Sequence, residues 1–200
     1  MNLKSRWSYL GYTLALSLAL PITAFAGGTI SGTVSAPKDK YKKDCVVYIE
    51  QAAGKFPPTK GARIDQKGLV FIPHVLPVVE GTPVEFLNHD EVLHNVFSPD
   101  EIAEKFNLGT WPMGEIKTYT FNKIGSAVLL CNVHAEMEGY VVVLQNPYFA
   151  KTDENGDYTI KDVPPGSYTL QVWNKKYKAD PQQVEVKEGG ITQINFKLKK

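Results

Sequence analysis

Sulfur is scarce in this chain, which has two cysteines and three methionines among 200 residues. Two cysteines allow at most one disulfide, Cys45 to Cys131, the default pairing for an exported chain with an even cysteine count. Met1, Met113 and Met137 are too scattered to make a methionine-rich tract, and the four histidines make no histidine-rich one. An excess of either charge is also missing, with 22 Lys and Arg against 21 Asp and Glu. No basic stripe or recognition motif stands out, which argues against nucleic acid as a partner. Beyond residue 26 no apolar run is long enough to cross a bilayer as a helix. Helix signals are few as well. The one helical turn expected lies at 99–105, with Ser98 as cap, Pro99 in the first helical position and Glu101 completing a capping box.

The N-terminus carries what the rest lacks. Lys4 and Arg6 precede an apolar stretch from Tyr12 to Ala26, broken by Pro21, and Ala24-Phe25-Ala26 stands before Gly27-Gly28. That order predicts a secretory signal peptide over 1–26 with cleavage after Ala26. No cysteine follows to take a lipid anchor, and the apolar stretch is short for a spanning helix. Cleavage would remove two of the 22 basic groups and none of the 21 acidic ones, leaving a net charge of about −1. The expected location is exported, most naturally the periplasm. The remaining length suits one or two small domains.

Strand signals dominate that remainder. Residues 29–35 alternate, 45–50 are rich in β-formers, and both runs are bounded by Gly, Pro and Lys clusters. Further strands are expected at 62–65, 69–72, 83–87, 116–122, 127–131 and 139–145. Asn155-Gly156 between two strand-forming runs predicts a hairpin. Asp153, Asn155 and Asp157 do not suit a calcium loop, because Tyr158 and Pro164 stand where an EF-hand needs Gly and Glu. The fold class is therefore all-β.

Metal chemistry is concentrated in Cys131-Asn132-Val133-His134-Ala135-Glu136-Met137, with His94 upstream in Leu93-His94-Asn95-Val96. Together they offer one thiolate, two imidazoles and one thioether. Soft sulfur holds Cu(I) and imidazole suits Cu(II), so two His and one Cys with a weak axial Met form the ligand set of a blue-copper electron-transfer site. Spacings of three let one tight loop after a strand aim three side chains at a point, provided it breaks the strand's alternation. His94 must arrive by tertiary pairing of strands. On this reading Cys131 is a ligand rather than half of a disulfide, and Cys45, in Asp44-Cys45-Val46-Val47, is a small apolar residue of a buried strand. His89, between the turn formers Asn88 and Asp90, and His74, after Pro73, stay outside the site. The loop contains no second Cys, which excludes a dinuclear centre. Leu130 and Asn132 occupy the places where a multicopper oxidase or nitrite reductase would need His, so the chain is expected not to be an enzyme.

These residues resemble the cupredoxin family of plastocyanin, pseudoazurin and amicyanin. The short Cys-x-x-His-x-x-Met loop followed by Glu138-Gly139-Tyr140-Val141-Val142-Val143 is most similar to amicyanin, and the resemblance spans roughly residues 60–145. It implies a Greek-key β-sandwich with one type 1 copper on His94, Cys131, His134 and Met137. It also implies that Asn95 supports the Cys sulfur from behind and ties the two ligand segments together. Around the loop His, Val133, Ala135, Trp111, Pro112 and Met113 would form an apolar port.

The C-terminal part differs. Residues 152–160, TDENGDYTI, and 163–170, VPPGSYTL, resemble the carboxypeptidase regulatory-like domain, a small transthyretin-like β-sandwich that supports or binds and carries no chemistry. That family also begins with strands like GTISGTV and CVVYIE, found here far upstream of the copper motif. The expected organisation is a signal peptide over 1–26, a discontinuous regulatory-like sandwich of 28–54 and 146–200, and a cupredoxin of 55–145 inserted into it. A simple tandem is the other arrangement. The expected function is shuttling of single electrons between periplasmic redox partners, such as a c-type cytochrome or a dehydrogenase, through a small transient interface. The alternatives are a copper protein of delivery or resistance and a structural or adhesive β-sandwich.

Overall fold

The structure, a computed structural model, describes residues 26–200, so the expected signal peptide lies outside the described residues apart from Ala26. In chain order come β1 (Gly28–Ser35) and β2 (Val46–Ile49), followed by β3 (Arg63–Gln66), β4 (Phe71–Ile72), β5 (Val75–Val79) and β6 (Thr82–Asn88). Next are β7 (His94–Phe97), β8 (Asn107–Trp111), β9 (Ile116–Phe121), β10 (Gly125–Leu130) and β11 (Glu138–Leu144). The last six are β12 (Phe149–Lys151), β13 (Asp157–Val163), β14 (Gly166–Trp173), β15 (Gln182–Val186), β16 (Ile191–Gln193) and β17 (Phe196–Lys197). Four sheets result. Strands β4-β3-β6-β9 and β5-β11-β10-β7-β8 pair only among themselves. The other two sheets, β12-β2-β14-β15 and β13-β1-β16 with β17 also on β1, join the first two strands to the last six.

Side-chain alternation builds the layers. Along β6, Thr82, Val84, Phe86 and Asn88 are buried in every second position. These strands pack against β10 and β11 through a core that includes Phe86, Phe121, Leu129, Val141 and Val143. A second core, with Ile30, Val47, Ile49, Ile160, Leu170 and Val186, fills the space between the remaining two sheets. The sandwiches meet back to back through Val46, Val75, Val142 and Leu144, with Tyr48, Tyr140, Phe149 and Trp173 packed around them. Burying such a side chain is worth about 1.5–3 kcal/mol, so baring this face costs several kcal/mol. Strands β2 and β11 therefore lie between two cores, which is why their sequences read as nearly unbroken apolar runs.

The chain crosses between the sandwiches after β2 and after β11, and the two crossings are bonded to each other. Gln145 accepts the N–H of Ala52 through its side-chain oxygen at 3.1 Å and donates to the Ala52 carbonyl at 3.2 Å, as a neighbouring strand would. Buried Asn146 donates to the Ile49 carbonyl at 2.9 Å.

Two local expectations are corrected. The helical turn at 99–105 is a shorter 3-10 turn over Glu101–Ala103, with Asp100 rather than Ser98 in the cap position and no side-chain cap. The Asp100 carboxylate instead accepts the N–H of Val128 at 2.7 Å, tying the turn to β10. At Asn155-Gly156 the chain turns tightly, but β12 and β13 lie in different sheets and form no hairpin ladder. The Asp153 carboxylate accepts the N–H groups of Asn155 and Asp157 at 2.8 and 2.9 Å, and Gly156 takes φ +88°. Turn chemistry specified the reversal, but the strands on either side of it belong to the two sheets that face each other across the second core.

Candidate metal centre

His94 opens β7 opposite Trp111 of β8, and β7 reaches β10 through the pair Leu130 and Phe97. Cys131 follows directly on β10 and keeps its inward parity after Ala127 and Leu129, so the thiol enters the core at 5% exposure. The loop then departs from the strand, and the Met137 N–H closes on the His134 carbonyl at 3.1 Å. This return sends Met137 back into the same core as Cys131. Donor atoms of His94, Cys131 and His134 all lie within 4.8 Å of one another, with the two Nδ1 atoms 3.2 Å apart.

Asn95 braces the two segments. Its backbone N–H lies 3.5 Å from the Cys131 sulfur, and its side-chain oxygen accepts the Asn132 N–H at 3.2 Å. The side-chain NH2 is spent on Asn107 at 2.9 Å and the Gly109 carbonyl at 2.7 Å. One buried residue thus joins β7, β8 and the loop after β10.

Asp90 is the contributor that sequence reasoning missed. Its carboxylate lies 2.9 Å from His94 Nε2 and accepts the N–H groups of Gly68 and Leu69 at 2.7 and 3.0 Å. Burial opposes the charge, but the Leu69 and Gly68 N–H groups and the His94 ring outweigh it and hold the carboxyl below its ordinary range. A carboxylate only accepts, so Nε2 carries the proton and Nδ1 turns its lone pair toward the thiol and the second imidazole. The available signal was an acid four residues before the candidate His94. It was masked because Asn88-His89-Asp90 reads as a turn.

Two borderline imidazoles and a soft thiol, with Met137 buried in the same core as Cys131 and no carboxylate in the donor set, fit copper better than a hard cation. His134 is half-buried, whereas Val92, Leu93, Met113 and Val133 are exposed on the segments that flank the ligands. Pro112 and Ala135 are exposed too. Trp111 corrects the expected port. It is fully buried behind His94, and its indole N–H has no hydrogen-bond partner in the structure. His89 sits outside the cluster on Asp65, at 2.7 Å, and His74 lies at the junction of the sandwiches beside Lys175. Cys45 and Cys131 are both free. Cys45 is buried in the other core, where burial pushes its thiol up and Asn174 donates to the sulfur at 3.3 Å.

Residues 133–199 match the carboxypeptidase regulatory-like domain family. The matched span begins inside the ligand loop and takes in β11, although β11 pairs with β10 and β5 rather than with the strands that follow it. No curated protein matches the chain. Among solved structures, the chain is similar to a purple cupredoxin from Nitrosopumilus maritimus, at 26% identity over 41% of this chain and 98% of that one, with a TM-score of 0.38. A reduced amicyanin variant shares 24% identity over 42% of this chain and 84% of its own, with a TM-score of 0.40. A copper-containing nitrite reductase from Thermus scotoductus shares 27% identity over 48% of this chain and 25% of its own, also with a TM-score of 0.40.

Proposed function

We propose that the protein holds one copper ion on His94, Cys131, His134 and Met137 and shuttles single electrons between exported redox partners. The observation that carries this reading is the convergence of two imidazole Nδ1 atoms and one buried thiol from β7 and from the loop between β10 and β11. Bound copper supplies the one-electron chemistry, alternating between Cu(I) and Cu(II). The chain does the rest. Cys131 provides the thiolate, toward which the Asn95 N–H points, and Asp90 orients His94. Met137 brings a weak sulfur donor from within the core. Paired strands β7, β10 and β11 hold the donor segments, so little would move between oxidation states.

In this reading residues 55–145 are an inserted metal unit, and 28–54 with 146–200 form the supporting sandwich. The bonds from Gln145 to Ala52 and from Asn146 to Ile49 support that division, because they bring the two insertion ends together. Export to the periplasm, the absence of enzyme activity and a c-type cytochrome or dehydrogenase as partner belong to the same proposal. The apolar residues beside the half-buried His134 suit a small, transient contact.

Adding Cu(II) to the purified protein should produce an intense visible thiolate-to-copper band, and Cys131→Ser should abolish it. A colourless copper complex would replace this reading with copper delivery or resistance.

A further inference from the structure

A cavity of about 200 Å³ opens where the two sandwiches meet, well below the roughly 300–1,000 Å³ of drug-sized sites. One side is His74 and Val75, on the metal-bearing sandwich, and the other comes from residues 40, 41, 43, 44 and 173–175 of the supporting one. Its charge is one-sided. Lys40, Lys43 and Lys175 line it against a single carboxylate, Asp44, and that carboxylate is engaged by Lys151 at 3.1 Å. Lys43 bonds outward to Glu154, and Lys175 to Glu138 at 2.7 Å, neither of which lines the cavity. Lys40 is in no ion pair among the described residues, and its ammonium lies 5.3 Å from the centre of the Tyr41 ring.

The walls also hold two basic nitrogens at close range. Lys175 Nζ lies 3.4 Å from His74 Nε2. Burial, and after it the Lys175 charge, hold His74 below its ordinary range, while Asp44 and Glu138 pull the other way. Tyr140, edge-on to the His74 ring, adds no charge of its own near neutral pH. An oxyanion entering here would find lysine ammonium groups on one side, His74 across from them, and Trp173 and Val75 for any short apolar part.

We propose that this junction cavity is a binding site for a small oxyanion, a carboxylate or a sulfate-like group, held by Lys40 and Lys175 with His74 as third donor. An anion bound there draws Lys175 from Glu138, the residue that follows Met137. The site thereby connects the supporting sandwich to the metal loop.

The test follows the His74 ring by proton NMR through a pH titration of the purified protein, in chloride, in sulfate and in malonate at equal ionic strength. The expected result is a saturating upward shift of the His74 midpoint with sulfate or malonate and none with chloride. Amide shifts should centre on residues 40–44, 74–75 and 173–175 and extend to Glu138, whose ion pair with Lys175 is loosened. Lys175→Gln should raise the basal midpoint, by removing a neighbouring positive charge, and suppress the response. Lys40→Gln breaks no ion pair, so it tests the site without disturbing the Glu138 contact, and it should weaken the anion response several-fold. A response to malonate alone would assign the site to carboxylates, and one to sulfate alone to tetrahedral anions. A midpoint that moves equally in all three salts would reduce the effect to screening and overturn the proposal. So would a full response in the Lys40 variant. Neither result depends on copper, since the titration reads the apo protein.

Discussion

Asp90 holds His94 by its outer nitrogen and is itself held by two backbone N–H groups, so the inner nitrogen is aimed before any metal arrives. Loss of such a support typically weakens metal binding about 10–100-fold. Asp90→Ala is therefore expected to lower copper affinity by that factor in a competition titration while the visible band survives at saturating metal. A band lost outright would mean that Asp90 is needed to form the site rather than to orient it. His94, Cys131 and His134, which the structure brings together, were legible because two of them share one short loop and the third lies in a motif of its own. Asp90 was not, since its role depends on the β3–β4 turn reaching across from residues 68–69. Trp111 was misjudged for a similar reason. Its neighbours Pro112 and Met113 are exposed, and only the pairing of β8 with β7 turns the indole inward.

At the scale of elements, β1 shows how tightly the outer strands are fitted. A Cβ added to Gly32 would stand 1.7 Å from the Ile194 carbonyl oxygen, a backbone atom that cannot swing aside. Gly32→Ala should therefore cost at least about 1–3 kcal/mol, the usual penalty of overpacking, seen as a lower melting temperature. The copper spectrum should be unchanged, because β1 shares no core residue with the ligands. An Ala variant as stable as the parent would show that the segment after β16 can shift freely. Alternation in GTISGTV revealed β1, but not its close parallel neighbour, which depends on a sheet edge formed about 160 residues later. β5, β7 and β8 were not expected as strands. Pro77 interrupts β5, β7 has only four residues, and β8 carries Gly109 at φ +72°. Long-range pairing overrides their weak local preference.

For the whole molecule, the division of strands predicts how fragments behave. A fragment of residues 27–150 keeps β1 and β2 but loses β13 to β17, leaving an unpaired edge and half a core. It should be poorly soluble, whereas residues 58–145 keep both sheets that hold the candidate donors and, on the proposed function, should turn blue with Cu(II). The opposite ranking in soluble yield and colour would refute the insertion. The same arrangement bears on the order of folding. Residues 28–35 must wait for partners at 157–163 and 191–197, while every strand from β3 to β11 has its partners within the interval 63–144. A chain delivered from its N-terminus thus completes the inner sandwich first. Once that unit closes, the Gln145 clasp on Ala52 holds β2 beside the start of β12, and a loop of nearly a hundred residues shrinks to a short connection. Closing a long loop costs entropy that grows with the logarithm of its length. Strands β3 to β11 therefore act as a template that lowers the search cost of the remaining sheets, and His94, Cys131 and His134 are assembled before those sheets have formed.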